Sequence, residues 1–285
     1  MKNVLVTGGK GQLATSIKAI SNTLDNVHFI FVDVEDLDIT NTNQVNNYFK
    51  SHNITHCVNC AAYTAVDKAE NEKEMAMLVN NIGAKNLALA CNTNNAKLIQ
   101  ISTDFVFDGK KSNLYNEKDD VEPLSVYGET KLKGELAIAN ILKEHYIIRT
   151  SWLYSEYGHN FVKTMLTLAA NRDELSIVCD QIGTPTYAGD LAALILLIIT
   201  EDNKAYGVYH YSNEGVASWY DFAKAIFEES EVNVKVLPIK TEQYPTPATR
   251  PAFSVLDKTK IKQLMKIEIP YWRSSLKNCI ANLEG

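Results

Sequence analysis

Lys2-Asn-Val-Leu-Val-Thr7, followed at once by Gly8-Gly-Lys-Gly11-Gln-Leu-Ala14, is the stretch that decides the fold. A short β-branched apolar run that stops at glycines reads as a buried strand. Leu13, Ile17, Ile20 and Leu24 then recur at helical spacing, so the glycine turn joins a strand to a helix. Glycine there lets the chain turn tightly and lets a phosphate approach the backbone. The helix N-terminus supplies free amides and the positive end of its dipole. The spacing is Gly-x-x-Gly-x-x-Ala rather than Gly-x-Gly-x-x-Gly, and a tight turn without a ligand is the competing reading. Gly8 and Gly11 are candidate cofactor-binding residues, and Ala14 in the third small position still allows close helix–strand packing.

Outward from this turn the strand–helix rhythm continues. Strands are expected over residues 27–32, 55–61, 97–102 and 146–152, and helices around Val45, Tyr48 and Phe49, over 74–92, and from Tyr127 to about residue 142. Such alternation predicts an α/β protein with a doubly wound parallel sheet, the Rossmann arrangement, joined by right-handed crossovers. Past about residue 155 the rhythm loosens. Helices are expected over 161–170, 190–200 and 219–228, and short strands over 175–178, 208–211 and 234–238. Pro238, Pro245, Pro247 and Pro251 crowd one stretch, which marks an ordered loop or a linker. The expected division is a dinucleotide-binding unit over 1–155 and a smaller C-terminal α/β substrate lobe over 156–285, with later segments free to return to the sheet.

The 285 residues suffice for one large α/β domain or two smaller ones. The balance of 46% hydrophobic and 22% charged residues is that of a soluble globular protein. A net charge of −6 argues against a nucleic-acid partner. The N-terminal apolar run is too short for a signal peptide, and the longest apolar stretch, 191–199, is too short to span a bilayer, so a cytoplasmic protein with no membrane partner is expected. Five cysteines fit reduced thiols. Cys57 and Cys60 form a Cys-x-x-Cys, but no second ligand pair accompanies them, and buried small side chains are the reading preferred over a metal site.

Several residues fall where chemistry is done. Asp33 ends the second strand, where a carboxylate accepts bonds from an adenosine ribose and repels a 2′-phosphate; with no arginine in Val34-Glu35-Asp36, this favours NADH. A solvated strand-end carboxylate is the alternative. Ile101-Ser-Thr103-Asp104 ends the fourth strand, and hydroxyls there can bond and polarise a substrate carbonyl, or merely cap the next element. Asn59-Ala-Ala-Tyr-Thr-Ala-Val-Asp67 ends the third strand, with Tyr63 either a ligand or a packing aromatic. Trp152 ends the fifth strand and can wall a pocket or fill a core. Arg250 in the proline-rich stretch offers a bidentate contact to a diphosphate, against the alternative of a surface ion pair. In Ser125-Val-Tyr127-Gly-Glu-Thr-Lys131 the phenol and the ammonium share one helix face. A nearby cation favours phenolate, so this spacing suits a tyrosine that exchanges a proton near neutral pH.

Together these residues resemble the extended short-chain dehydrogenase/reductases, and within them the chain is similar to the dTDP-4-dehydrorhamnose reductase family. The likeness rests on Gly8–Leu13, Asn59–Glu70, Ser102–Gly109, Tyr127–Leu132, Arg149–Trp152, Asp180–Thr186 and Tyr244–Pro251. The resemblance implies hydride delivery from NADPH or NADH to C4 of dTDP-4-dehydro-L-rhamnose, giving dTDP-L-rhamnose for polysaccharide synthesis. By that likeness Tyr127 protonates the alkoxide, Lys131 binds the nicotinamide ribose and lowers the Tyr127 pKa, and Thr103 bonds the substrate oxygen. Asp104 and Trp152 line the sugar pocket. Gly11, Gln12 and Leu13 lie under the cofactor diphosphate, Asp38 and Ile39 flank adenine, and Ala62, Tyr63 and Thr64 flank the nicotinamide-side ribose. The C-terminal lobe holds the dTDP-sugar. A homodimer is an assembly the resemblance allows, as is Mg²⁺ held by glutamates at a dimer contact; no glutamate of this chain is assigned to it.

Two positions depart from the family pattern: Ala14 replaces a common glycine, and Phe105 stands where tyrosine is common, which removes a hydroxyl from the sugar pocket. Two other functions compete. An epimerase or dehydratase of the same superfamily is one, although a dehydratase needs an Asp-Glu pair that does not follow Thr103 here. A regulatory subunit that binds cofactor without catalysis is the other, and intact Thr103, Tyr127 and Lys131 argue against it.

Overall fold

A computed structural model describes residues 1–201 and 203–284. The first half alternates as expected: β1 (Lys2–Thr7), α1 (Gln12–Ser21), β2 (Val27–Val32), α2 (Thr42–His52) and β3 (His56–Asn59). Then come α3 (Val66–Ala69), α4 (Lys73–Met77), a π turn (Leu78–Gly83), α5 (Ala84–Asn94), β4 (Lys97–Thr103), α6 (Val126–Ile141) and β5 (His145–Thr150). The second half contains β6 (Leu153–Tyr154), α7 (Phe161–Ala169), β7 (Glu174–Val178), β8 (Ile182–Gly183), β9 (Thr186–Tyr187), α8 (Ala188–Glu201) and β10 (Gly207–His210). It ends with β11 (Ala217–Ser218), α9 (Trp219–Glu229), β12 (Lys235–Ile239), α10 (Thr259–Met265) and α11 (Trp272–Glu284). For the last two helices the sequence reading carried no expectation.

The main sheet has six strands in the order β10-β5-β4-β3-β1-β2, all parallel. It is buried on both faces, as parallel sheets require. One face packs Ala14 and Ile17 of α1 with Leu191, Ile195 and Ile198 of α8; the other packs Val45 and Phe49 of α2 with Leu87 and Cys91 of α5 and Ile138 of α6. The order in which strands are added reverses between β1 and β3, and ligands bind at the carboxyl ends of strands beside such a switch point. A second core joins α7, β7, α9 and α11 around Val162, Leu175, Phe222, Trp272 and Leu276. Between these lobe segments, α8 and β10 return to the main sheet, β10 pairing with β5. None of the helices among the described residues is long and apolar enough to cross a membrane.

Three expected elements differ in ways that matter for the site. The third strand ends at Asn59 because its side chain bends the chain away: Oδ1 accepts from the Thr7 hydroxyl (2.6 Å) and from Ala61 N (3.2 Å). The fifth strand ends at Thr150 because Trp152 adopts a left-handed backbone, φ 47°. The single helix expected over 74–92 is broken by the π turn, a wide turn that often marks functional sites. At the turn, Asn80 meets α6 so closely that a Cβ on Gly134 would lie 2.3 Å from the Asn80 carbonyl oxygen. Gly134→Ala is therefore expected to destabilise the protein by about 1–3 kcal/mol through overpacking, measured by denaturant unfolding. An unchanged midpoint would show that the π turn and α6 do not touch in solution.

Candidate active site

The carboxyl ends of β1, β3, β4 and β5 open onto one cleft of ≈ 830 Å³, walled on the far side by the C-terminal lobe. The glycine turn forms its floor. Gly8 has φ +65°, and a Cβ there would lie 2.8 Å from Ala61 N. Only glycine lets the turns after β1 and β3 come this close. Gly11 precedes α1, whose first amides face the cleft without an acidic side chain in the first turn. Gln12 extends its amide to the Leu153 carbonyl (3.2 Å), tying the turn to β6.

Of the residues expected at the cofactor, Gly8, Gly11, Gln12, Leu13, Asp33, Asp38, Ile39, Ala62 and Thr64 all line this cleft. Asp33 also organises the turn: its Oδ2 accepts from Lys10 N and its Oδ1 from Val34 N, each at 2.8 Å. The Lys10 ammonium reaches Glu35 (2.8 Å) across the exposed rim. Asp38 Oδ1 accepts from the Thr40 amide and hydroxyl (2.9 and 2.7 Å). Tyr63 differs: it is not among the lining residues, and its phenol turns outward to Glu72 (2.6 Å). Its backbone is held by Asn80. Asn80 Oδ1 accepts from Tyr63 N (2.9 Å), while Asn80 Nδ2 donates to Tyr63 O and to the Thr130 hydroxyl, both at 3.1 Å. Asn80 thus joins the loop after β3 to the helix that carries Tyr127.

That helix begins under tight control. Ser125 caps it, accepting from Gly128 N (3.2 Å), and Glu70 accepts from Val126 N (2.9 Å). An acceptor and a negative charge both suit exposed amides at a helix N-terminus. Tyr127 and Lys131 then face the end of β4, and Lys131 Nζ donates to the Ile101 carbonyl (2.7 Å). Burial pushes Lys131 down to about 8, with the Glu135 carboxylate opposing. Burial pushes Tyr127 up to about 12; a bond with Thr103 works against this, and the Asp104 charge adds to it. The net displacement of Tyr127 is upward because desolvation dominates in the protein alone, where the Lys131 ammonium donates to a backbone carbonyl.

The Thr103 hydroxyl donates to Asp104 Oδ1 (3.1 Å) and accepts from Phe105 N (3.1 Å). Asp104 is buried and its Oδ2 has no partner. Burial raises its pKa to about 6, against bonds from Ser254 and Thr103. Phe105 meets Tyr127 edge to face, 5.6 Å between centroids, so its ring packs on the phenol. Across the cleft, Trp152 stacks flat on Trp219 at 3.6 Å, with Phe161 4.7 Å further on. Arg250 lines the cleft, but its guanidinium is engaged: Nη1 and Nη2 grip the two oxygens of Asp67 at 3.1 and 2.7 Å. This ion pair pins the proline-rich stretch to the loop after β3.

Asn80, Glu70, Glu135 and Trp219 were not singled out from sequence. Glu70 lay inside a quoted motif, and Glu135 follows Tyr127 and Lys131 at the same four-residue interval, so both left a signal. Asn80 left none, because its role depends on a π turn that periodicity does not reveal. Among the described residues, no cluster of three or more His, Cys, Asp or Glu gathers for a metal ion.

With this geometry in place, comparison with known proteins identifies the lineage. The family model described as "RmlD substrate binding domain" matches residues 1–284. A dTDP-4-dehydrorhamnose reductase from Aggregatibacter actinomycetemcomitans is 44% identical, over all of both chains. The crystal structure of a dTDP-4-dehydrorhamnose reductase from Clostridium acetobutylicum superposes with a TM-score of 0.96 at 44% identity, covering 99% of this chain and 100% of that one. The Bacillus anthracis reductase, solved in complex with NADP, gives 0.95 at 39% identity over 99% and 100%. A family match over nearly the whole chain, and relatives this similar over their full length, leave one conclusion: the chain belongs to the dTDP-4-dehydrorhamnose reductase family of the extended short-chain dehydrogenase/reductases.

Proposed function

We propose that this protein reduces the C4 ketone of dTDP-4-dehydro-L-rhamnose to give dTDP-L-rhamnose, with NADPH or NADH as reductant. The convergence of Thr103, Tyr127 and Lys131 at the end of β4, opposite the glycine turn, is the observation that carries this reading. The residues fit a dinucleotide: Gly8 holds two strand ends too close for any Cβ, and a helix N-terminus opens beside it. When bound, the reduced nicotinamide supplies the hydride.

The chain's own residues do the rest. A phenol held at about 12 stays protonated at neutral pH, which is the state a reduction needs. As negative charge develops on the C4 oxygen, that oxygen becomes a stronger base than phenolate and takes the proton from Tyr127 Oη. The Thr103 hydroxyl, turning its one proton away from Asp104 Oδ1, donates to the same oxygen and polarises the ketone. Lys131, an ammonium over most of its population at neutral pH, favours the phenolate that remains. Asp104 and the Trp152–Trp219 stack wall the sugar, and residues 156–285 supply the face for the rest of the sugar nucleotide. Both cofactors remain in the proposal. A carboxylate at the Asp33 position, on the rim of the cleft, suits NADH, while the Lys10 ammonium at the same corner can face a 2′-phosphate; the Bacillus anthracis relative carries NADP.

Replacing Tyr127 by Phe should lower turnover of dTDP-4-dehydrorhamnose by about 10²–10⁴, followed as loss of reduced-nicotinamide absorbance, with cofactor binding retained. Near wild-type turnover would remove Tyr127 as the proton donor. Asp104 gives a second, pH-dependent outcome. Its folded pKa of about 6 lies above the ordinary carboxyl value, so the native state binds a proton more tightly than the unfolded chain. The stability this proton confers is present at low pH and is lost as pH rises from about 4 to 6. Asp104→Asn cannot ionise. Its stability relative to wild type should therefore climb across that window, reaching about 1–3 kcal/mol above pH 7, in denaturant unfolding at a series of pH values. A flat difference would show that Asp104 is not desolvated.

A further inference from the structure

Tyr127, Lys131 and Glu135 recur at four-residue intervals on α6, and three consecutive residues of β4 meet them. Thr103 lies beside Tyr127 on the wall of the cleft, the Ile101 carbonyl accepts from Lys131, and the Ser102 hydroxyl donates to Glu135. Glu135 is also gripped by Arg149 of β5, from Nε (3.0 Å) and Nη2 (2.7 Å). Glu135 and Arg149 are only 3% and 4% exposed. Neither takes part in the proton or hydride step described above. A buried ion pair adds little net stability, because desolvation offsets the attraction, so its position directly behind the Tyr127–Lys131 face calls for another account.

We infer that Glu135 is a positioning residue for the reduction proposed above: with Arg149 it locks the third turn of this face onto β4, and it supplies the negative charge one turn beyond the Lys131 ammonium. This rests on the proposed function and deepens it. The groups around Lys131 are few. On α6 these are Tyr127 and Glu135, since Glu129 and Lys133 pair with each other outside (2.7 Å). The end of β3 brings Cys60, whose thiol burial pushes above its usual range. From β4 come the neutral Ser102 and Thr103, with Asp104 beyond, and from β5 comes Arg149. His210 of β10 lies edge-on to Phe107 at 5.7 Å, and burial with the Arg149 charge pushes it down to about 3, so it stays neutral. Among the charged groups, Glu135 is the largest influence holding Lys131 up. The sign of the effect is therefore testable. Loss of the Glu135 charge leaves Arg149 behind Lys131 and disfavours the ammonium; loss of the Arg149 charge leaves a bare carboxylate and favours it.

The experiment measures kcat and kcat/KM from about pH 6 to 10 for wild type, Glu135→Gln, Arg149→Gln and the double variant, with dTDP-4-dehydrorhamnose and NADPH. Activity that needs the Lys131 ammonium falls on the alkaline side. That limb should move down by about one pH unit in Glu135→Gln and up in Arg149→Gln. Both single variants break the same pair, so a merely structural role predicts an unmoved limb in both; limbs that stay fixed or move the same way overturn the inference. Should a single variant not fold, the charge-neutral double variant decides. It must fold yet lose roughly tenfold or more in kcat with KM unchanged, and Glu135→Asp must keep the wild-type limb. A double variant that does not fold, or one with wild-type kcat, overturns the inference. Wild-type protein that turns over no 4-keto sugar nucleotide refutes the proposed function first, and this inference with it.

Discussion

Two cations, Lys131 and Arg149, are buried where a parallel sheet ends, and much of the structure follows from the need to satisfy them. A buried ammonium or guanidinium is tolerated only with acceptors close at hand. Lys131 takes the Ile101 carbonyl, and Arg149 takes Glu135 while lying over the Phe107 ring, 5.2 Å from its centroid. These bonds require α6 to lie on β4 in one register. That register in turn aims Tyr127 at the strand end beside Thr103. The chemistry of the site is thus a by-product of electrostatic necessity a few ångströms behind it.

The same economy governs the opposite wall. Asp67 and Glu70 sit in one short stretch after β3. Asp67 holds Arg250 and so the proline-rich stretch, while Glu70 holds the first amide of α6. Asn80 fastens the neighbouring Tyr63 backbone to Thr130, the residue just before Lys131. The loop that would flank the cofactor and the helix that would deliver the proton are therefore parts of one frame, with little room to shift against each other.

How much of this could be read in advance depended on what each residue's role required. The glycine turn, the strand alternation and the Tyr127–Lys131 spacing were legible because local periodicity and backbone geometry dictate them. Asp33 was legible as a strand-end carboxylate, but its second task, holding the Lys10 amide, depends on how two turns fold against each other. Tyr63 was read as a candidate ligand because it is an aromatic in the right loop; only the structure shows its phenol leaving toward Glu72. The π turn was invisible because an extra residue in a helical turn leaves the apolar pattern nearly intact. The ion pair of Arg250 with Asp67 could not be read in advance, because the partner lies 183 residues away.

The return of α8 and β10 to the main sheet has a consequence for how the molecule comes apart. The chain leaves the sheet after β5, builds part of the lobe, comes back to cover α1 and pair with β5, and leaves again to finish the lobe. No cut after residue 155 frees a self-sufficient dinucleotide unit, since the edge strand and one helical layer lie downstream. Melting of either lobe strips the other of a layer. The protein should therefore lose its structure in one cooperative transition, and a nick in the distal lobe should be felt at the glycine turn.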